Sequence, residues 1–527
     1  MSYQSVNFII FSAAVLLVYY LVGRKQQKRV LLAANLVFYI LAGAKYLPFI
    51  LVTMFTTFFA GKKIGKIYKL ADIELETCTD IVEKKRIRLE SKAQAKRMLI
   101  LALVVALGLL AVCKYALFTA KNINVLLGIF NLPQIQLFEM LLPLGISFYT
   151  FMALSYVLDI YWKRYEAERN FVWYAVYLSY YPHVVQGPIN RFNSFKPQIA
   201  NGVALSYKNI TFGAQLAIWG FFKKLVIADR LGIFVSTIYD NWSDYTGIIF
   251  VIAAIFYAIQ IYADFSGCMD IVSGISEMFG IKLTRNFDHP FFSKTIPEFW
   301  RRWHISLGEW FRDYLYFPIS TSSLVKKVKK QCKERNKKQA GELFASCFSA
   351  FVVWTATGIW HGASWNFVFW GLYNAALFIA GILFSDFNTH LLSKFHIRTK
   401  SFSWKLFQMI RTFTLCCIGR VFSRADGLLA AINIWRNTFK EFSIERVLSG
   451  NLFTYGLDRA NFQLVLVAIF IFWAVDMLQE HMSIRETLAE QNIVFRWAVI
   501  YAGIFAVIIF GAYGPSFNAS DFIYGQF

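Results

Sequence analysis

Between Tyr262 and Gly371 the chain reads, in order, Tyr262-Ala-Asp-Phe-Ser-Gly267, Glu298-Phe-Trp-Arg-Arg-Trp-His304 and Gly358-Ile-Trp-His-Gly362. Ionisable side chains stand here among aromatic residues and glycines, between segments that read as membrane spans. Charge at membrane depth is costly and is kept mainly where it serves function. The stretch therefore reads as the polar centre of a membrane-embedded protein, a buried catalytic site with His361 in its middle.

Outward from this centre, apolar runs recur along the whole chain. Candidate spans lie at about 6–22, 30–43, 46–61, 98–119, 140–161, 171–185, 209–238, 246–264, 343–360, 365–384, 405–422, 463–480 and 495–512. Some fall short of the roughly 20 residues that cross a bilayer as a helix. About eleven to thirteen spans are expected, some re-entrant. The composition agrees: 57% of residues are hydrophobic, 18% aromatic and 16% charged, against roughly 25% charged in soluble domains. The fold class is an all-α polytopic membrane protein. Its segments divide into N-terminal spans (1–61), a basic cytoplasmic segment (62–97), central spans (98–261), a catalytic core (262–384) and C-terminal spans (385–527). Residues 6–22 lack a basic leader and a small-residue cleavage site, and read as a retained first span.

The net charge is +22. Nucleic-acid binding is one meaning of so basic a chain. The basic residues, however, cluster in short loops between apolar runs, as the positive-inside rule expects. Arg24, Lys25, Lys28 and Arg29 fall between the first two spans, and Lys62 to Arg97 between the third and fourth. Both loops are then cytoplasmic and the N-terminus outside. Residues 73–97 read as one charged helix, solvated or resting on anionic lipid. The basic run Val325–Gln339 fits the same orientation.

Within the seventh span, Phe221-Phe-Lys-Lys-Leu-Val-Ile-Ala-Asp-Arg230 implies a helix break, a face on a polar cavity, or lysines snorkelling to an interface. His183, in a Pro/Gly-rich turn, reads as a hydrogen-bonded structural histidine. The seven cysteines form no CxxC pair and read as small buried residues. No metal-binding spacing is present.

Thr295-Ile-Pro-Glu298 has the form of a capping box, with proline in the first turn. A helix is predicted from Ile296 to about Asp313, interfacial or re-entrant, with Trp300, Trp303, His304, Leu307 and Trp310 on one face. Glu298 and Arg302 are spaced to pair. His304 is a core or a site-lining histidine. His361, between Gly358 and Gly362, is either a proton acceptor or a residue that fixes a helix junction. Asp264 either orients His361 or pairs with an arginine such as Arg301.

On these residues the chain resembles the membrane-bound O-acyltransferase family, in its bacterial alginate O-acetyltransferase branch. The motifs are Tyr262–Gly267 with Asp270, Asn286-Phe-Asp-His-Pro290, Glu298–Leu307, Trp310-Phe-Arg-Asp-Tyr-Leu-Tyr316, Gly358–Trp365 and Gln186-Gly-Pro-Ile189. Asn374, Cys268-Met269 and the glycine-poor loop 320–342 depart from the family pattern. The resemblance implies a helical bundle around a central funnel, with re-entrant or interfacial helices. It implies acyl transfer with His361 as catalytic base and His304 as the second catalytic position. Asp264, Trp303, Arg301, Trp360, Ser364 and Asn366 are the expected substrate-binding residues. The donor would be a thioester, acetyl-CoA, from the cytoplasm, with no bound cofactor. The acceptor would be an exported polysaccharide, reached through an extracytoplasmic SGNH-type partner. A D-alanyl transfer protein of teichoic-acid modification, a transporter and a scaffold are the rival readings. The two further C-terminal spans and the Trp-Arg-Arg-Trp-His wording favour the acetyl branch.

Overall fold

A computed structural model describes residues 2–138, 140–445 and 450–513. The C-terminal tail read from the sequence, 521–527, lies outside them. Every regular element among these residues is helical, and the one strand-like feature among them is an isolated antiparallel bridge between Phe287 and Trp303. Among the described residues, eight segments are long and apolar enough to cross a membrane: Arg24–Thr77, Ile81–Ile129, Tyr207–Asp240, Ile248–Met278, Lys338–His361, Trp365–Leu383, Arg459–Gln479 and Ile493–Phe510. The first of these comprises two helices, Gln27–Gly43 and Leu47–Thr77, and two shorter apolar helices are Val6–Leu21 and Ile146–Tyr161. Large apolar side chains such as Leu17, Val104, Phe470 and Ile509 are exposed on these helices, as lipid-facing residues are. The chain is a multi-pass all-α membrane protein.

Several boundaries differ from the sequence expectation. The run at 171–185 yields only the nine-residue helix Phe171–Ser179, because the chain turns at Tyr180 to Gln186 around Pro182. Other helices overrun their apolar part: Leu47–Thr77 and Ile81–Ile129 continue through Lys-, Glu- and Arg-rich sequence, which has good helix propensity once out of the bilayer. The single charged helix expected over 73–97 is instead interrupted. Cys78 is extended, and the Asp80 carboxylate accepts from the Val82 amide at 3.0 Å, starting a new helix.

The chain forms two compact units, Met1–Ala214 with Val272–Thr284, and Gln215–Ile271 with Arg285–Phe527. The first has a tyrosine-rich core that includes Tyr149, Tyr156, Tyr174, Tyr177, Tyr180 and Tyr181. Some of the buried hydroxyls pair there, as Tyr174 does with Thr57 at 2.6 Å. The Asn35 side chain ties Gln27–Gly43 to the end of Phe171–Ser179, contacting Ser179 Oγ at 3.1 Å and the Tyr181 amide at 2.9 Å. His183 is fully buried, with Nε2 3.1 Å from the Tyr177 carbonyl oxygen and Nδ1 3.0 Å from Asn190 Nδ2. With both ring nitrogens engaged within this turn, it is a structural histidine. Burial pushes its pKa down to about 3.

In the second unit a π-helical segment, Phe222–Ala228, interrupts the helix before Asp229–Asp240. A Cβ on Gly220 would meet the Gly267 carbonyl oxygen at 2.5 Å, so this helix and Ile248–Met278 cross backbone against backbone. That closeness delivers two lysines onto acids. Lys223 lies 2.6 Å from Asp270 and 2.9 Å from Ser266; Lys224 lies 2.7 Å from Asp264 and 2.9 Å from Asp229. Both lysines are buried. They are paired inside the bundle and do not snorkel.

A second glycine crossing builds the helix pair Lys338–His361 and Trp365–Leu383. A Cβ on Gly358 would meet the Phe367 carbonyl oxygen at 2.6 Å and the Gly371 Cα at 3.0 Å. Side chains at either glycine would force this pair apart.

Candidate active site

The segment Lys294–Phe311 forms one wall of the site. Its start follows the capping-box expectation. Thr295 Oγ1 accepts from the Glu298 amide at 3.2 Å, and Glu298 reaches back to the Lys294 amide at 2.9 Å. Glu298 and Arg302 pair at 3.2 Å, and Arg302 also meets Glu480. The helix does not run to Asp313. It stops at Arg302 and restarts at Ile305. Trp303 is extended, and His304 has a left-handed backbone with φ of 48°.

The cause is pairing with Asn286–Asp288, which helical periodicity cannot register. The Asp288 amide donates to the Arg302 carbonyl and the Ile305 amide to the Asn286 carbonyl, each at 2.9 Å. Asn286 Oδ1 then accepts from the Ser306 amide at 3.0 Å, with His304 Nδ1 at 3.4 Å. The break turns His304 toward Phe265 and Trp360, with ring centroids 4.8 and 6.2 Å away. His304 is 3% exposed, and burial pushes its pKa down to about 3. It is a neutral imidazole at physiological pH.

His361 is the last residue of Lys338–His361, where the chain leaves the helix through Gly362 before Trp365–Leu383 begins. Its ring lies between two indoles, with centroids 4.9 Å from Trp360 and 4.8 Å from Trp370, both edge-on. Trp360 thus touches both imidazoles.

Two cavities meet at these residues. The larger, about 600 Å³, is lined by His304 and His361 together with Trp300, Arg301, Trp303, Arg312 and Thr357 among others. The smaller, about 30 Å³, is lined by His361, Trp300, Trp303, Tyr257, Asn374 and Arg420 among others. His361, Trp300 and Trp303 line both. A group in the larger space and one in the smaller would therefore face the same imidazole.

The remaining expected site residues divide. Arg301 and Trp303 line the larger cavity. Trp360 is buried behind the histidines and lines neither. Ser364 is the half-buried residue before Trp365–Leu383 and also lines neither. Asn366 is buried and donates to the carbonyls of Phe422 and Ala425 at 3.1 and 3.0 Å. It joins its helix to the end of Phe402–Arg424. Asp264 is held by Lys224, which the glycine crossing brings beside it. Asn374 donates to the Trp370 carbonyl at 2.9 Å, within its own helix.

Arg420 is the site residue that sequence reasoning passed over. It lies in Phe402–Arg424, is 6% exposed, and holds its guanidinium 4.3 Å from the centre of the Trp303 ring. Its signal was available: an arginine inside an apolar run.

A model of the "MBOAT, membrane-bound O-acyltransferase family" matches residues 166–332. A probable alginate O-acetylase, AlgI, of Pseudomonas syringae pv. tomato is 30% identical over 413 residues, covering 78% of this chain and 70% of the relative. A peptidoglycan O-acetyltransferase of Helicobacter pylori is 28% identical, over 77% of this chain and 72% of the relative. A teichoic acid D-alanyltransferase of Bacillus subtilis is 25% identical, over 52% of this chain and 67% of the relative.

Proposed function

The chain belongs to the membrane-bound O-acyltransferase family and is an O-acyltransferase, and from that premise we propose that it passes an acetyl group from cytoplasmic acetyl-CoA toward an exported cell-surface polysaccharide, with His361 as the base. The observation that carries this reading is the shared position of His361. It lines a cavity large enough for substrate groups and a second, small one beside it.

In the reaction, a hydroxyl oxygen attacks the thioester carbonyl carbon. The hydroxyl proton passes to the imidazole of His361, the carbon–sulfur bond breaks, and the thiolate leaves with the bonding pair. His304, neutral and rigidly held, fits the second catalytic position as a hydrogen-bonding partner rather than a charged one. Arg301 and Arg312 at the larger cavity provide positive charge for a phosphate-bearing donor. Trp303 and Arg301 remain the better-supported substrate contacts of the expected set. Asp264, Trp360, Ser364 and Asn366 fit a supporting role. The hydroxyl is carried either by the polymer or by an extracytoplasmic SGNH-type partner that hands the acetyl group on.

The basic loops orient the chain in a bacterial plasma membrane with the N-terminus outside. The D-alanyl alternative draws on the teichoic acid relative. It is the weaker reading because that likeness spans 52% of this chain against 78% for the alginate acetylase.

The test uses full-length protein in proteoliposomes with de-O-acetylated alginate oligosaccharide, supplying acetyl-CoA or a D-alanyl-loaded carrier protein. Release of free CoA thiol coupled to oligosaccharide acetylation is the expected result. Turnover of the carrier alone would replace this reading with the alternative.

A further inference from the structure

Among the described residues, Arg420 is a buried cation without an ion-pair partner. No Asp or Glu lines the small cavity it borders. Among the described residues its guanidinium has no hydrogen bond or ion pair, and its Nε is buried with no acceptor. What it has is Trp303, at 4.3 Å, and Phe299, at 6.0 Å. Such stacking offsets part of the cost of burying the charge, but it leaves the planar N–H donors unused. A buried guanidinium with idle donors is expensive to keep, and an incoming oxygen would repay it.

The size of the cavity narrows what that oxygen belongs to. At about 30 Å³ the cavity is far tighter than the neighbouring space of about 600 Å³, and it suits the short end of an acetyl group better than a sugar ring. Of the other polar side chains at the cavity, Trp300 also holds a buried N–H with no acceptor, at Nε1, while Asn374 and Ser423 are engaged. Asn374 donates to Trp370, and Ser423 donates to the carbonyl of Arg420 itself.

We propose that Arg420 is a catalytic residue that binds the carbonyl oxygen of the acyl donor, with the small cavity as the seat of a two-carbon acyl group. This rests on the reading of His361 as base at the wall shared by the two cavities. When the acceptor oxygen bonds to the carbonyl carbon, the carbonyl π pair moves onto the oxygen facing Arg420, and its proton goes to His361. The pair returns as the carbon–sulfur bond breaks, and the thiolate departs. Arg420 meets charge that exists only in the tetrahedral state, so its contribution falls mainly on kcat.

The experiment compares wild type, Arg420→Lys and Arg420→Gln as full-length protein in proteoliposomes. Acetyl-CoA and propionyl-CoA are the donors, de-O-acetylated alginate oligosaccharide is the acceptor, and melting midpoints are taken in detergent. Arg420→Gln should lower kcat about 10²–10³-fold, the loss seen on removing an oxyanion donor, with donor KM within a few fold. Arg420→Lys, which keeps charge without the planar fork, should fall between. Wild type should prefer acetyl to propionyl. Undiminished kcat in a folded Arg420→Gln or Arg420→Lys overturns the proposal, as does a raised acceptor KM with kcat unchanged. Wild type that turns over neither acyl-CoA, with the oligosaccharide alone or with an SGNH-type partner protein added, overturns the acetyl-transfer reading itself, a result distinct from any difference among the variants.

Discussion

Lys224 sits 1% exposed between Asp264 and Asp229, within the π-helical segment Phe222–Ala228. Removing the lysine leaves two carboxylates facing each other in an apolar bundle. Breaking one partner of a buried pair typically costs about 3–5 kcal/mol. Lys224→Met should therefore lower the melting midpoint of the detergent-solubilised protein sharply, and a further Asp264→Asn change should restore part of it. An unchanged midpoint in Lys224→Met would show that the trio is stabilising nothing. His304 makes a pH-dependent contribution of the opposite kind. Its folded pKa, about 3, lies below the ordinary value near 6.5. Between those values the unfolded chain binds a proton that the folded chain refuses, so stability falls as pH drops below about 6.5. His304→Gln should lose less stability than wild type between pH 6.5 and 4, measured by midpoint against pH. At this scale the sequence was legible for residue types, less so for partners. His361 and His304 do line one cavity. Asp264 met a lysine, because a glycine crossing between residues far apart in sequence chose its neighbour. Asn366 is engaged instead by the carbonyls of Phe422 and Ala425, partners equally far off in sequence.

The elements around the site show where local pattern ends. Thr295 and Glu298 cap the helix as their spacing requires, since a capping box is closed by residues within one turn. Its continuation was invisible, because Asn286–Asp288 competes for the Arg302 carbonyl and the Ile305 amide from outside the window of any periodicity. The central link is Asn286, whose Oδ1 holds Ser306 and stands by His304. Asn286→Ala removes a buried acceptor from these donors, a loss of about 1–3 kcal/mol. It should also lower turnover by loosening His304, whereas Asn286→Asp, which keeps the acceptor, should retain more activity. Equal activity in both variants would detach Asn286 from the site. The glycine crossing offers a competition of magnitudes. In a free helix, Gly358→Ala would gain about 1 kcal/mol of propensity. Here the new Cβ lies 2.6 Å from a backbone oxygen, and overpacking costs of about 1–3 kcal/mol should win. The midpoint of Gly358→Ala should drop, and a rise would mean that the helices separate freely.

For the molecule as a whole, hydropathy and charge told most of the story. The all-α membrane class was legible because long apolar runs have few alternatives in a bilayer. The lengths of individual helices were not, because helices such as Ile81–Ile129 continue into charged sequence beyond their apolar part. The proposed orientation, with the basic stretch Lys62 to Arg97 on the cytoplasmic side, makes a direct prediction. With Cys78 as the only cysteine left, it should react with an impermeant maleimide only after the cells are opened; labelling in intact cells would invert the topology. In the proposed reaction one imidazole, His361, stands between the two cavities that donor and acceptor would occupy. Its most direct test replaces His361 with glutamine in full-length protein, checks the melting midpoint, and measures acetyl transfer from acetyl-CoA in proteoliposomes. A folded variant with turnover reduced about 10²–10⁴-fold, the span expected for a lost general base, is the predicted result; a folded variant acetylating at the wild-type rate would contradict the account.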